Sequence, residues 1–151
     1  MKKNIFIWGF VIIIIDQLTK LLVSNNLKLN ESIEVIRNFF YISYVHNEGA
    51  AWSIFHGNRW FLVIMSFIAL YAVIKYFLLD INVTKAETVG YSLLLGGVVG
   101  NLIDRLVHGF VIDFFDFFIL GYNFPVFNIA DTCIVLGVII VLWTLIKGAR
   151  R

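Results

Sequence analysis

Two aspartates stand out by their surroundings. Asp113 sits in Phe110-Val111-Ile112-Asp113-Phe114, and Asp131 in Phe127-Asn128-Ile129-Ala130-Asp131, so each is flanked by apolar residues. Burial raises a carboxyl pKa, and a second carboxylate nearby raises one of the two further. Two such groups sharing a proton form an acid–base pair, one activating water and the other protonating. That is aspartic-protease chemistry, and it requires no metal or cofactor. A plainer reading fits the same residues. Asn128 as a helix cap leaves Asp131 at the third position, where a carboxylate suits the helix dipole, and Asp113 then marks the polar edge of a strand. Asp116 has only proximity to recommend it.

A second set of polar residues lies inside apolar runs, where charge is costly and is either functional or paired. Asp16 and Lys20 are four apart, on one helical face, as an ion pair; a structural pair that snorkels outward and fixes helix depth is the expectation. Asn101 precedes Asp104 and Arg105 by three and four residues, so the three share a face. They form either an interfacial network closing a helix end or the polar wall of a site, with Arg105 binding a carbonyl or an anion. Gly96, Gly97 and Gly100 just before them permit close helix contact. His46, His56 and His108 lack metal-ligand spacing. The single cysteine, Cys133, lies in an apolar run and behaves as a small hydrophobe. No phosphate-binding loop, Ser-x-x-Lys or Gly-x-Ser-x-Gly element is present.

The elements that must hold these groups belong to a membrane. Of 151 residues, 60% are hydrophobic and 15% charged, against about 25% charged in soluble domains. A net charge of +2 without a basic patch argues against nucleic acid. Four stretches, about 5–24, 60–79, 88–106 and 129–147, are apolar for roughly the 20 residues a bilayer requires. The first mimics a signal peptide but continues past Asp16 with no small-x-small site, and is read as a retained span. Lys2, Lys3, Lys75, Lys85, Lys147, Arg150 and Arg151 place both termini inside. Most acidic residues, the two aspartates included, then fall on the outer half. In the outer segment 25–58, Phe39–Val45 has strand composition, Asn47-Glu48-Gly49 reads as a turn, and Ala50–His56 as an amphipathic helix with Trp52 and Phe55 at the interface. The segment 107–127 holds seven phenylalanines and is expected to lie on the membrane surface or line an apolar groove.

Taken in order, these motifs resemble the bacterial lipoprotein signal peptidases, the type II signal peptidases, over nearly the whole chain. The matching blocks are Asp16-Gln17-Leu18-Thr19-Lys20; Val45-His46-Asn47-Glu48-Gly49-Ala50-Ala51-Trp52; Gly100-Asn101-Leu102-Ile103-Asp104-Arg105 with Gly109 and Val111-Ile112-Asp113-Phe114; and Phe124-Pro125-Val126-Phe127-Asn128-Ile129-Ala130-Asp131. The resemblance implies a single membrane peptidase domain over 1–151, with an all-α core of four transmembrane helices, a small extracytoplasmic β-sheet and an amphipathic surface helix. It implies a catalytic dyad of Asp113 and Asp131, substrate contacts from Asn47, Asn101, Arg105 and Asn128, and supporting roles for Asp16, Lys20, Gly49 and Asp104. It further implies cleavage of diacylglyceryl-modified prolipoproteins before the lipidated cysteine, by a monomer in the bacterial cytoplasmic membrane that contacts membrane lipids. No cofactor, metal or nucleic acid is implied, and the inhibitors would be globomycin and myxovirescin. A proton-coupled transporter would instead string ionisable residues across the bilayer depth. A scaffold would explain the glycine face but not two isolated aspartates.

Overall fold

The computed structural model describes residues 2–49, 57–79 and 83–148. The element order is α1 (Lys2–Asn26), β1 (Ser32–Ile36), β2 (Phe40–Asn47), α2 (Arg59–Leu79), α3 (Lys85–Val107), β3 (Val111–Ile119), β4 (Tyr122–Asn123) and α4 (Ile129–Gly148). All four helices are long and apolar enough to cross a membrane, and at 1.5 Å per residue they span roughly 30 Å or more. They coincide with the four expected stretches. The amphipathic helix expected at Ala50–His56 lies outside the described residues.

Helix α3 is the centre of the bundle, packed against α1, α2 and α4. Its glycines explain how. A Cβ on Gly96 would stand 2.6 Å from Ile12, and one on Gly100 would stand 2.6 Å from Asp16 Oδ2. Helices α1 and α3 therefore run parallel, in register from Gly9 beside Leu95 to Lys20 beside Asp104. On the other face, a Cβ on Gly97 would stand 2.5 Å from the Ala130 carbonyl oxygen, and Gly90 lies against Gly137 and Val141, so α4 runs antiparallel to α3. Small residues let backbones approach where lipid supplies no hydrophobic drive between helices. A capping box starts α3: Thr84 Oγ1 accepts from Glu87 N–H, and Glu87 accepts from Thr84 N–H at 2.8 Å. By contrast α1, α2 and α4 turn Phe6, Trp8, Phe10, Phe67, Ile139 and Trp143 outward, a surface suited to hydrocarbon rather than water.

The sheet lies at the end of the bundle where α1 and α3 finish and α2 and α4 begin. Its order is β1-β2-β3-β4, antiparallel throughout, with an irregularity in the β2–β3 pairing between Ile42 and Val45. Strand β2 meets the expectation for Phe39–Val45. The phenylalanine-rich segment contains β3, a central strand that carries Asp113 as its plainer reading has it. Its rings interlock instead of floating. Phe117 stacks on Phe40 at 4.6 Å and on Phe127 at 5.8 Å, while Phe115 and Phe127 exchange backbone hydrogen bonds. The groove-lining half of the expectation does hold, for Phe124 and Phe127. Gly109, at φ +91°, makes the reversal from α3 into β3 that a side chain would strain.

Candidate active site

The two aspartates come from the starts of β3 and α4. Asp113 lies on β3 and is 1% exposed. Asp131 lies in the first turn of α4. Between them Asn128, fully buried, serves both. Its side-chain amide donates to Asp113 Oδ1 at 2.7 Å, and its Oδ1 accepts from Asp131 N–H at 2.8 Å. Asp131 Oδ2 in turn accepts from Asn128 N–H at 3.3 Å, a reciprocal cap at the start of α4. The cap expected of Asn128 and Asp131 is therefore present, and the same asparagine brings Asp113 to the start of α4.

Two further asparagines complete the bonds. Asn47, at the end of β2, donates to Asp113 Oδ2 at 2.8 Å, and Asn101 donates to Asp131 Oδ1 at 2.7 Å. Arg105 reaches back to the Gly49 carbonyl at 3.2 Å, while Gly49 N–H donates to Asn47 Oδ1 at 2.9 Å. The turn read at Asn47–Gly49 is therefore closed by Asn47 itself and pinned by an arginine from α3. Burial, and then the charge of Asp131, push Asp113 up to about 7, against the opposing pull of the Asn47 and Asn128 amides and Lys20.

Behind this pair lies a second ionic cluster. Lys20 Nζ binds Asp16 Oδ2 at 2.8 Å, Asp104 Oδ2 at 3.0 Å and Asn101 Oδ1 at 3.0 Å. The expected outward snorkelling of Asp16 and Lys20 is overturned. Lys20 is only 2% exposed and Asp16 is fully buried, because partners on α3 and α4 satisfy them inside the bundle. Asp16 Oδ1 accepts the Ala130 N–H at 2.9 Å, placing a carboxylate at the positive end of α4. Asp104 Oδ2 accepts the Ile112 N–H at 3.0 Å, which ties down the residue before Asp113. Gln17 was not singled out by the sequence reading, yet it donates to Asp104 Oδ1 at 2.9 Å and to the Gly100 carbonyl at 3.2 Å. Its place three residues before Lys20, on the same helical face, was the available signal.

Asp116 is separate: it accepts from Ser43 at 2.6 Å within the sheet. His46 stacks on Phe110 with ring centres 3.5 Å apart and shares a hydrogen bond with the Tyr44 hydroxyl. Burial and then His108 lower its pKa.

A cleft of about 740 Å³ opens over the pair. Asn47, Asn101, Arg105, Asp113 and Asp131 form its polar wall; Val111, Pro125, Val126, Phe127, Ile134 and Leu136 form much of the rest. Two carboxylates on an apolar cleft can bind an extended, greasy chain and present a water to it.

Comparison with known proteins agrees with this architecture. The sequence model of the family described as Signal peptidase (SPase) II matches residues 8–147. The lipoprotein signal peptidase of Staphylococcus haemolyticus (strain JCSC1435) is 38% identical over 155 residues, covering 99% of this chain and 98% of that protein. The lipoprotein signal peptidase of Staphylococcus aureus (strain JH9) is 41% identical over 156 residues, covering 100% and 96%. Two solved structures described as bacterial membrane enzymes superpose with TM-scores of 0.90 and 0.86. They are 38% and 39% identical and cover 97% and 96% of this chain, and 90% and 94% of their own. The chain is a multi-pass membrane protein and belongs to the signal peptidase II family, a family of proteases.

Proposed function

We propose that this protein removes signal peptides from diacylglyceryl-modified prolipoproteins, cleaving before the lipidated cysteine, with Asp113 and Asp131 as the catalytic pair. One observation carries the reading: two carboxylates, both bonded to Asn128, share the wall of a largely apolar cleft. One aspartate removes a proton from water as its oxygen attacks the scissile carbonyl carbon. The other, protonated, hydrogen-bonds the carbonyl oxygen, and a proton passes to the leaving nitrogen as the C–N bond breaks. A group raised to about 7 retains its proton near neutrality. The three asparagines direct N–H groups at the carboxylates and hold them in place. Arg105, on the cleft wall, positions the substrate backbone or its lipid headgroup.

The lysine and arginine distribution supports a cytoplasmic N- and C-terminus in the bacterial inner membrane, and so an extracytoplasmic site. We take the chain as one domain acting as a monomer, with globomycin and myxovirescin as inhibitors competing for the cleft. A gel-shift assay in detergent tests the proposal, using a diacylglyceryl-modified prolipoprotein and its unlipidated form. Cleavage of the lipidated form alone, lost in Asp113→Asn and in Asp131→Asn, is the expected result. Equal cleavage of both forms removes the substrate assignment, and cleavage surviving in either variant removes the dyad.

A further inference from the structure

An asparagine amide can face a neighbour with its oxygen or with its nitrogen, and only the nitrogen suits a carboxylate. At Asn101 the choice is made from behind. Its Oδ1 accepts from two donors, Lys20 Nζ at 3.0 Å and Asn128 Nδ2 at 3.2 Å. With the oxygen held there, the nitrogen is left to Asp131 Oδ1, which it reaches at 2.7 Å. Lys20 cannot easily turn away. It is 2% exposed, and Asp16 and Asp104 clasp it from α1 and α3.

We propose that Lys20 is a positioning residue for the aspartate pair, acting through Asn101: its ammonium locks the amide so that N–H, not C=O, faces Asp131. Without the ammonium, Asn128 alone holds the oxygen, and a flipped Asn101 would set a carbonyl against the carboxylate. An N–H aimed at a carboxylate favours the charged form. The amide's orientation therefore bears on the pH at which the pair gives up its shared proton. This inference rests on the dyad assignment made above. Charged groups facing the pair are Lys20 on α1 and Arg105 on α3. Facing Lys20 are Asp16 and Asp104, and across a small cavity of about 160 Å³, Tyr44 on β2 and His108 beyond α3.

The test compares the full-length wild type, the charge-balanced double variant Lys20→Met/Asp104→Asn, and Lys20→Gln, which retains a donor for Asn101 but no charge. Each is purified in detergent, its folding checked by thermal melting, and kcat and KM measured from pH 5 to 9 on lipidated prolipoprotein. In the double variant kcat should fall on the order of 100-fold, the loss typical of one preorganised donor. KM should stay within about threefold and the alkaline limb of kcat should move to higher pH. Lys20→Gln should keep kcat within about tenfold, although its limb also moves to higher pH because the charge that pulls Asp113 down is gone. A folded double variant with an unmoved alkaline limb overturns the proposal, because a merely structural lysine would lower the amount of active enzyme without moving its profile. If the double variant does not fold, Lys20→Gln decides: retained kcat supports the proposal, and a loss beyond 100-fold overturns it. An inactive wild type would instead count against the proposed function.

Discussion

Asp16 and Asp104 flank Lys20; Asp113 and Asp131 flank Asn128. Both pairs are carboxylates held at the junction of α3 with its neighbours, yet they differ in what lies between and beside them. A cation sits between the first two, further donors from Gln17, Ala130 and Ile112 complete them, and the cluster is closed. Neutral Asn128 lies between the second two, its side-chain amide donating to the Asp113 carboxylate and its backbone N–H to that of Asp131, and both aspartates line the cleft. Burial alone therefore does not mark a reactive carboxylate. What distinguishes the second pair is that both residues line the cleft with no cation between them, the arrangement that the proposed reaction requires.

The largest expected effect breaks the comparison most directly. Asp113→Asn or Asp131→Asn should each lower kcat by at least about 10⁴-fold, as loss of a group acting within a catalytic unit does, with melting behaviour near wild type. Asp16→Leu should do the reverse. It strips Lys20 and the Ala130 N–H of a partner and should cost about 3–5 kcal/mol of stability, read by thermal unfolding in detergent. A stable but inactive Asp16→Leu would mean the two pairs do not divide their roles this way. Next is Gly97→Ala, whose new Cβ meets the Ala130 carbonyl. Separating α3 from α4 should cost about 1–3 kcal/mol and loosen Asn101 from Asp131, so KM and kcat should both worsen.

The pH profile sharpens the contrast. As the pH rises through about 7, Asp113 loses its proton and the proposed reaction loses an acid. Activity should thus fall roughly tenfold per pH unit on the alkaline side, and a flat profile from pH 6 to 9 would contradict a shared proton. The smallest effect belongs to Asp116→Asn. It keeps an acceptor for Ser43, so stability should change by about 1 kcal/mol and kcat by less than about threefold. A larger loss of activity would promote this third carboxylate into the reaction.

Much of this was legible before any coordinates. Apolar run length gave all four helices, and aromatic and β-branched composition gave β2. Asn101, Asp104 and Arg105 were placed together by their spacing. Strand β3 was legible only in the plainer reading of Asp113 as a strand edge, because Val111-Ile112-Asp113-Phe114-Phe115 shows no regular alternation of apolar and polar residues. It is buried on both faces, so the period-two signal vanishes. The inward turn of Lys20 was also missed. Helical spacing pairs it with Asp16, but only tertiary contact supplies Asp104 and Asn101, which make burial of an ammonium tolerable. The double use of Asn128 needed both facts at once, a helix start and a strand lying against it.

That double use has a consequence for how such a protein is made. The residue that caps α4 is also the one that bonds Asp113, and Asp131 arrives on that same helix. A chain emerging from the ribosome, or one whose last helix has not yet entered the bundle, carries its aspartates apart and has no assembled hydrolytic centre. On the proposed dyad, hydrolysis therefore waits for the docking of α4.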